Sequence, residues 1–212
     1  GFAHQAVCVT SSHFASAEKE FRFPLEYGNQ RPLSATWTVT GSGAFVLSGE
    51  HRKGDRAKIT GFTMGMITDF GIKDSMNMGA CMAPAAASTI ERHLKDFQRT
   101  PGDYDKIITG DLGKVGQTIL LELLREKGYD IADVHMDCGI EIYDAATQDT
   151  HAGGSGCGCS AVTLSAYILK QIEEKYWKRV LFVPTGALLS KTSYNEGQSV
   201  PGVAHALVIE GV

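Results

Sequence analysis

The stretch HAGGSGCGCSAVTL, residues 151–164, decides how this sequence folds. Glycine, serine and cysteine occupy every position from Gly153 to Cys159. Apolar side chains then recur at helical spacing, at Val162, Ala166, Leu169, Ile172 and Tyr176. A glycine-rich loop lets the backbone approach its neighbours closely, and the first turn of a helix carries N–H groups that attract anions. The stretch therefore predicts either an anion-binding loop or a tight turn kept small for packing at the start of a buried helix.

Better-known site motifs do not match this stretch. A P-loop requires Gly-Lys-Ser/Thr, and a nucleophile elbow requires GxSxG, whereas the serine here lies in Gly-Gly-Ser-Gly. Cys157 and Cys159 form a C-x-C pair, and no second pair of cysteines or histidines in the sequence supplies the spacing of zinc ligands. The five cysteines are scattered and odd in number, which favours a reducing compartment over a disulfide scaffold. We therefore predict no metal site and no cofactor.

Strand and helix patterns alternate along the chain, which indicates an α/β fold with mixed strand directions. Helices are predicted near residues 84–98, 114–127 and 159–176, and QAVCVTSS (5–12) reads as a buried strand. TWTVTGSGAFVLSG (36–49) reads as one further strand with a glycine interruption. We predict a five-stranded mixed sheet that contains KITGFTMG (58–65), YDKIITGD (104–111), RVLFVPTG (179–186) and VAHALVIE (203–210).

The composition narrows the possible partners. The chain has 212 residues, 43% of them hydrophobic and 21% charged, and a formal net charge of −4. Such a chain lacks the basic surface that binds nucleic acid, so no nucleic-acid partner is predicted. No apolar run in the sequence approaches the roughly 18–20 residues that span a bilayer.

The order of the elements resembles the thiolase-like fold, in which mixed five-stranded sheets and helices are stacked in layers. TGSGAFVLS (40–48) resembles the strand that closes the first half of thiolases and ketoacyl synthases. The resemblance implies that residues 1–55 are the C-terminal part of the first half and that residues 56–212 are the whole second half. It follows that the chain is expected to be a fragment without its N-terminal part, and to associate through the apolar surface exposed by that loss.

Four longer strings are closely similar to the AD family of stage V sporulation proteins of spore-forming bacteria. They are TSSHFASAEKEFRFPLEYGNQRP (10–32), MGACMAPAAASTI (78–90), DYDKIITGDL (103–112) and HAGGSGCGCSAV (151–162). This resemblance implies a protein that binds dipicolinic acid (pyridine-2,6-dicarboxylic acid), free or as its calcium chelate, and supports its uptake into the developing spore. It also implies a homodimer, peripheral to the spore inner membrane, that works with other proteins of the same uptake system.

The resemblance to thiolase-fold enzymes also identifies positions where catalytic partners are replaced. The second-half histidine or asparagine aligns with Ser155, a further histidine aligns near Asp111, and a cysteine aligns with Gln198 or Ser199. Serine is no base at neutral pH, glutamine has no proton to exchange, and a nearby carboxylate disfavours a thiolate. These changes predict a non-catalytic protein; the alternative is an acyl-transferring or condensing enzyme of the thiolase or ketoacyl synthase type.

Six residues are candidates for binding the ligand. Ser155, Gly156 and Cys157 are expected either to line the pocket or to form a packing turn, and Asp111 either to enter the pocket or to cap the following helix. His13 and Arg22 lie on a long loop, where the Arg22 guanidinium is expected either to clamp a carboxylate or to belong to a dimer interface.

Overall fold

The computed structural model describes residues 3–15 and 32–212. Its strands are β1 (Gln5–Ser12), β2 (Trp37–Thr38), β3 (Gly41–Ser48), β4 (Lys58–Thr63), β5 (Lys106–Thr109), β6 (His135–Asp137), β7 (Gly154–Ser155), β8 (Arg179–Val183), β9 (Thr185–Ala187), β10 (Gly202–Ala204) and β11 (Ala206–Glu210). Its helices are α1 (Met78–Asp96), α2 (Gly113–Glu126), α3 (Cys138–Glu141), α4 (Cys159–Thr163), α5 (Leu169–Glu173) and α6 (Lys191–Asn195), with a 3-10 turn at Pro101–Asp103 and a π-helical turn at Leu164–Ile168.

A five-stranded mixed sheet with the order β4-β11-β8-β5-β6 forms the centre of the molecule, as the sequence predicts. β5 runs parallel to β6 and β8, whereas β11 runs antiparallel to β8 and β4. Alternate residues of β8 enter two separate clusters of buried side chains: Leu181 packs with α1 and α2, and Phe182 packs with Ile168 and Ile172. Helices therefore cover both faces of this sheet.

The helices begin and end close to their predicted positions, with one correction. The first helix starts at Met78 rather than near residue 84, because the Asn77 side chain accepts a hydrogen bond from the Ala80 N–H (3.3 Å) and so caps it. Pro84 consequently lies inside the helix and not in its first turn. The predicted helix 159–176 is observed as α4 and α5 joined by the π-helical turn, and it ends at Glu173.

The segment 36–49 forms two strands and not one. β2 pairs in parallel with β7, whereas β3 pairs antiparallel with β1 along the full length of both strands. The prediction that β1 is buried is wrong: Val7 and Val9 are 68% and 69% exposed. One face of this two-stranded ribbon packs against α4, and no described element covers the other face.

Two buried histidines hold hydrogen-bond networks in the second half. His93 Nδ1 lies 2.8 Å from Thr63 Oγ1, and His93 Nε2 lies 2.6 Å from the Tyr104 hydroxyl. His135 Nε2 lies 3.0 Å from Thr109 Oγ1. Burial lowers the pKa of each histidine from 6.5 to about 4. Both rings are therefore neutral in the folded protein at pH 7.

These histidines predict a loss of stability in acid. Because the folded pKa lies below the unfolded value of 6.5, the unfolded chain binds protons first, and stability falls as the pH drops from 6.5 to 4. We expect urea unfolding at pH 7.5 and pH 5 to show a loss of up to about 2 kcal/mol per histidine. In His93→Gln the pH-dependent part assigned to His93 should disappear, and an unchanged pH dependence would contradict this assignment.

Candidate functional site

A cavity of about 520 Å³ lies at the carboxyl ends of β5 and β8. This edge of an α/β sheet is where ligands commonly bind. The cavity combines residues from both sides of the boundary predicted at residue 55. Its lining consists of Thr10, Ser12, Thr38, Met78, Met82, Asp111, Ser155, Gly156, Cys157, Ser160, Pro184, Thr185, Gly186, Ala187 and Leu189.

The lining is rich in two kinds of side chain. Six residues carry hydroxyl groups: Thr10, Ser12, Thr38, Ser155, Ser160 and Thr185. Five are apolar: Met78, Met82, Pro184, Ala187 and Leu189. Apolar surface with a few placed polar groups is typical of sites for small molecules.

The glycine-rich stretch of residues 153–159 forms a turn at the edge of this cavity. Gly156 has a φ of +108°, which side chains rarely adopt, and a Cβ there would lie 3.1 Å from Ser12 Oγ. The turn is held by bonds from distant residues: Gly158 N–H donates to Ser12 Oγ (2.9 Å), and Thr10 Oγ1 donates to the Cys157 carbonyl (2.9 Å). The turn is therefore tightly packed, and it also lines the cavity.

Asp111 enters the cavity and fixes the same turn. Its Oδ2 accepts a hydrogen bond from Gly156 N–H (2.9 Å), and its Oδ1 accepts one from Thr185 Oγ1 (2.9 Å). The N–H groups of Gly156 and Gly158 are therefore already bonded within the protein, which differs from the expectation that the loop amides receive an anion.

The bonds of Asp111 to Gly156 and Thr185 favour the alternative in which it enters the pocket, and the N–H groups at the start of α2 bond to Asp137. Asp137 accepts hydrogen bonds from the N–H groups of Leu112 (2.9 Å) and Gly113 (3.1 Å) at the start of α2. It also accepts bonds from the Thr109 hydroxyl (2.6 Å) and from Ile140 N–H (3.2 Å). Burial raises the pKa of this carboxyl, and the four hydrogen bonds oppose that rise.

Of the other predicted ligand residues, some line the cavity and some do not. Ser155 and Cys157 line the cavity, and the Ser155 side chain accepts a hydrogen bond from Thr36 Oγ1 (2.9 Å). His13 is exposed directly after β1 and is not among the lining residues. Arg22 lies outside the described residues. Ser199, one of the aligned positions, donates to Asp69 Oδ2 (2.5 Å) and does not line the cavity.

Sequence comparison places the chain in a family. Residues 1–210 match the family model described as stage V sporulation protein AD. The chain belongs to the stage V sporulation protein AD family. It is 50% identical over 210 residues to the stage V sporulation protein AD of Bacillus subtilis (strain 168), a match that covers 99% of this chain and 61% of that protein. The chain thus spans about three fifths of the length of its curated relative.

Solved structures of condensing and thiolytic enzymes also align with this member of the family. The tetronic acid condensing enzyme AbyA1 is 15% identical, with a TM-score of 0.49, and the alignment covers 100% of this chain and 58% of the enzyme. Human mitochondrial 3-ketoacyl-CoA thiolase is 18% identical, with a TM-score of 0.48, and the alignment covers 90% of this chain and 43% of the thiolase.

Two thiols of this family member lie in buried positions that disfavour the thiolate. Burial raises the pKa of Cys81 to about 11 and raises the pKa of Cys138 well above its ordinary range.

Within residues 3–15 and 32–212, no group of three or more histidine, cysteine, aspartate or glutamate side chains is arranged to hold a metal ion. Among the described helices, none combines the length and the apolarity needed to cross a membrane.

Proposed function

We propose that this member of the stage V sporulation protein AD family binds dipicolinic acid in the cavity described above and supports its uptake into the developing spore. The observation that carries the proposal is the lining of the cavity, where six hydroxyl side chains meet five apolar ones. The ligand is a planar aromatic ring with two carboxylates. Apolar side chains suit the ring. The hydroxyl protons of Thr10, Ser12 and Thr185 are donated within the protein, so a hydrogen bond to a ligand carboxylate is expected from a different lining hydroxyl, such as that of Ser160.

The charge of the cavity bears on the form of the ligand. Among the described lining residues, the ionisable side chains are Asp111 and Cys157. A carboxylate at Asp111 repels a dicarboxylate dianion, whereas the calcium chelate of dipicolinate carries no net charge. We therefore expect the chelate to bind at least as tightly as the free dianion.

Binding without acyl transfer is the activity that the cavity supports best. Acyl transfer in this kind of site needs a nucleophile with a base or an activating group within hydrogen-bond reach. Among the described lining residues there is no histidine, and Ser155 stands where the resemblance places a histidine or asparagine. The Asp111 carboxylate accepts bonds from Gly156 and Thr185. These features support a binding protein over the alternative condensing enzyme.

The proposal extends to the setting in which the protein works. We propose a homodimer, peripheral to the spore inner membrane, that cooperates with other proteins of the dipicolinate uptake system. Large apolar side chains exposed on the described part of the chain, such as Val7, Val46, Phe62 and Phe70, support contacts with further polypeptide. Sedimentation of the full-length protein tests the homodimer, and recovery of the protein with spore inner membranes tests its membrane location.

Calorimetric titration tests the ligand directly. We expect the full-length protein to bind dipicolinate with one site per chain, with and without calcium. Benzene-1,3-dicarboxylate, which lacks the ring nitrogen and chelates calcium poorly, is the matched control and should bind more weakly. Heat from a coenzyme A thioester in the absence of any heat from dipicolinate would refute the binding proposal and favour the condensing enzyme.

A further inference from the structure

Ser12, at the end of β1, connects three segments that are far apart in the sequence. Its hydroxyl donates to the Val39 carbonyl (2.5 Å), directly after β2, and its oxygen accepts a hydrogen bond from Gly158 N–H (2.9 Å), directly before α4. Val39 in turn donates its N–H to the Ser155 carbonyl (2.8 Å). A hydroxyl has one proton, so the donor bond to Val39 leaves the oxygen to act as acceptor for Gly158.

The contact between Ser12 and the turn is close as well as polar. A Cβ at Gly158 would lie 2.8 Å from Ser12 Oγ and 2.5 Å from the Gly41 carbonyl oxygen. Two residues earlier in β1, Thr10 bonds the Cys157 carbonyl, so both hydroxyl side chains on this face of the strand hold the turn. Ser12 also lines the cavity itself.

We propose that Ser12 is a positioning residue for the cavity. Its hydroxyl holds the turn from Gly156 to Gly158 against the end of β2. Ligand binding therefore depends on the contact between β1 and this turn. The inference rests on the proposed function in one respect, which is that dipicolinate is the ligand used to measure binding. The turn itself and its bonds to Ser12 do not depend on the identity of the ligand.

Three substitutions of Ser12 separate the hydroxyl from the size of the side chain. Ser12→Ala and Ser12→Val remove the hydroxyl, and each should weaken dipicolinate binding about tenfold, which is the effect of one well-placed hydrogen bond. Ser12→Thr has nearly the shape of the valine variant but keeps the hydroxyl, so it should bind within about threefold of the unchanged protein. Equal losses in the threonine and valine variants would overturn the proposal.

Two control variants distinguish positioning from general stability. Ser11→Ala changes the neighbouring residue, whose exposed side chain points to the opposite face of β1, and should leave affinity unchanged. Ile107→Val shortens a fully buried side chain in β5 and should lower the melting temperature without weakening binding. If Ile107→Val weakened binding as much as Ser12→Ala, loss of stability alone would explain the effect and the proposal would fail.

Hydrogen exchange at the Gly158 amide gives a readout that needs no ligand. In the absence of dipicolinate, exchange should be at least about tenfold faster in Ser12→Ala and Ser12→Val than in Ser12→Thr, because the amide loses its acceptor. If the unchanged protein does not bind dipicolinate, the proposed function fails, yet this measurement still decides whether Ser12 holds the turn. Unchanged exchange in the alanine and valine variants would overturn the role of Ser12. In a protein that binds dipicolinate, faster exchange without weaker binding would overturn it as well.

Discussion

Replacing Gly156 by valine should abolish dipicolinate binding, with a loss of affinity of at least about a hundredfold. Gly156 has a φ of +108°, a conformation that is strongly unfavourable for a β-branched residue. A Cβ at this position would also lie 3.1 Å from Ser12 Oγ and 3.2 Å from Thr38 Cγ2, and the valine methyl groups would reach further. The turn must therefore move, and its movement breaks the bond from Gly156 N–H to Asp111. Calorimetric titration of the full-length variant measures the loss.

Gly54→Val is the matched control for this substitution. Gly54 also has a positive φ, +97°, but a Cβ there meets nothing within 4 Å. The same strained substitution at Gly54 should therefore cost some stability and leave dipicolinate affinity unchanged. Retention of affinity in Gly156→Val, or an equal loss in Gly54→Val, would show that the turn does not form the binding site.

The central sheet was predictable because its signals are local. Each of the four predicted segments of the second half contributes a strand to the central sheet, namely β4, β5, β8 and β11, and β5 and β8 carry the apolar runs that fit a sheet covered on both faces. Two segments differ from the prediction at one end, because residues 185–186 and 203–204 pair in the separate sheet of β9 and β10. The fifth strand, β6, has only the three residues HMD and carries no periodic pattern that distinguishes it from a loop. Similarly, Pro84 is a typical first-turn residue, and its place inside α1 depends on the cap supplied by Asn77.

The cavity was only partly predictable, because its decisive contacts join distant residues. The glycine-rich turn was predicted from its glycines, which are a local signal, and Asp111 was predicted from the resemblance to thiolase-fold enzymes. Thr10 and Ser12 were missed as site residues: they bond to positions 147 and 146 residues away, and no local pattern indicates such pairs. The exposure of β1 was also missed. Its sequence pattern is typical of a buried strand, but the pattern does not show whether another part of the protein covers that strand.

Asp137 was missed as well, although its sequence context offers a signal. It is the last residue of β6 and lies directly before α3, a position where a side chain caps a helix. What the sequence does not show is that the same carboxylate also binds Leu112 and Gly113 across the sheet. These two bonds hold residues 112–113, which directly follow Asp111, so Asp137 supports the cavity without lining it.

Asp137→Ala should destabilise the protein by about 4 kcal/mol, since it leaves the backbone N–H groups of Leu112, Gly113 and Ile140 and the Thr109 hydroxyl without this acceptor. For a protein of this size or larger, such a loss lowers the melting temperature by roughly 10 °C. Asp137→Asn keeps one acceptor oxygen and should show an intermediate loss of stability.

The control is Asp130→Ala, where an exposed carboxylate accepts one bond from Ala132 N–H (3.1 Å) and the loss of stability should stay below about 1 kcal/mol. Because Asp137 positions the segment beside Asp111, dipicolinate affinity at a temperature where Asp137→Asn is folded should also fall, whereas Asp130→Ala should bind normally. Equal melting temperatures for Asp137→Ala and Asp130→Ala would mean that the four hydrogen bonds of Asp137 do not hold this edge of the sheet together.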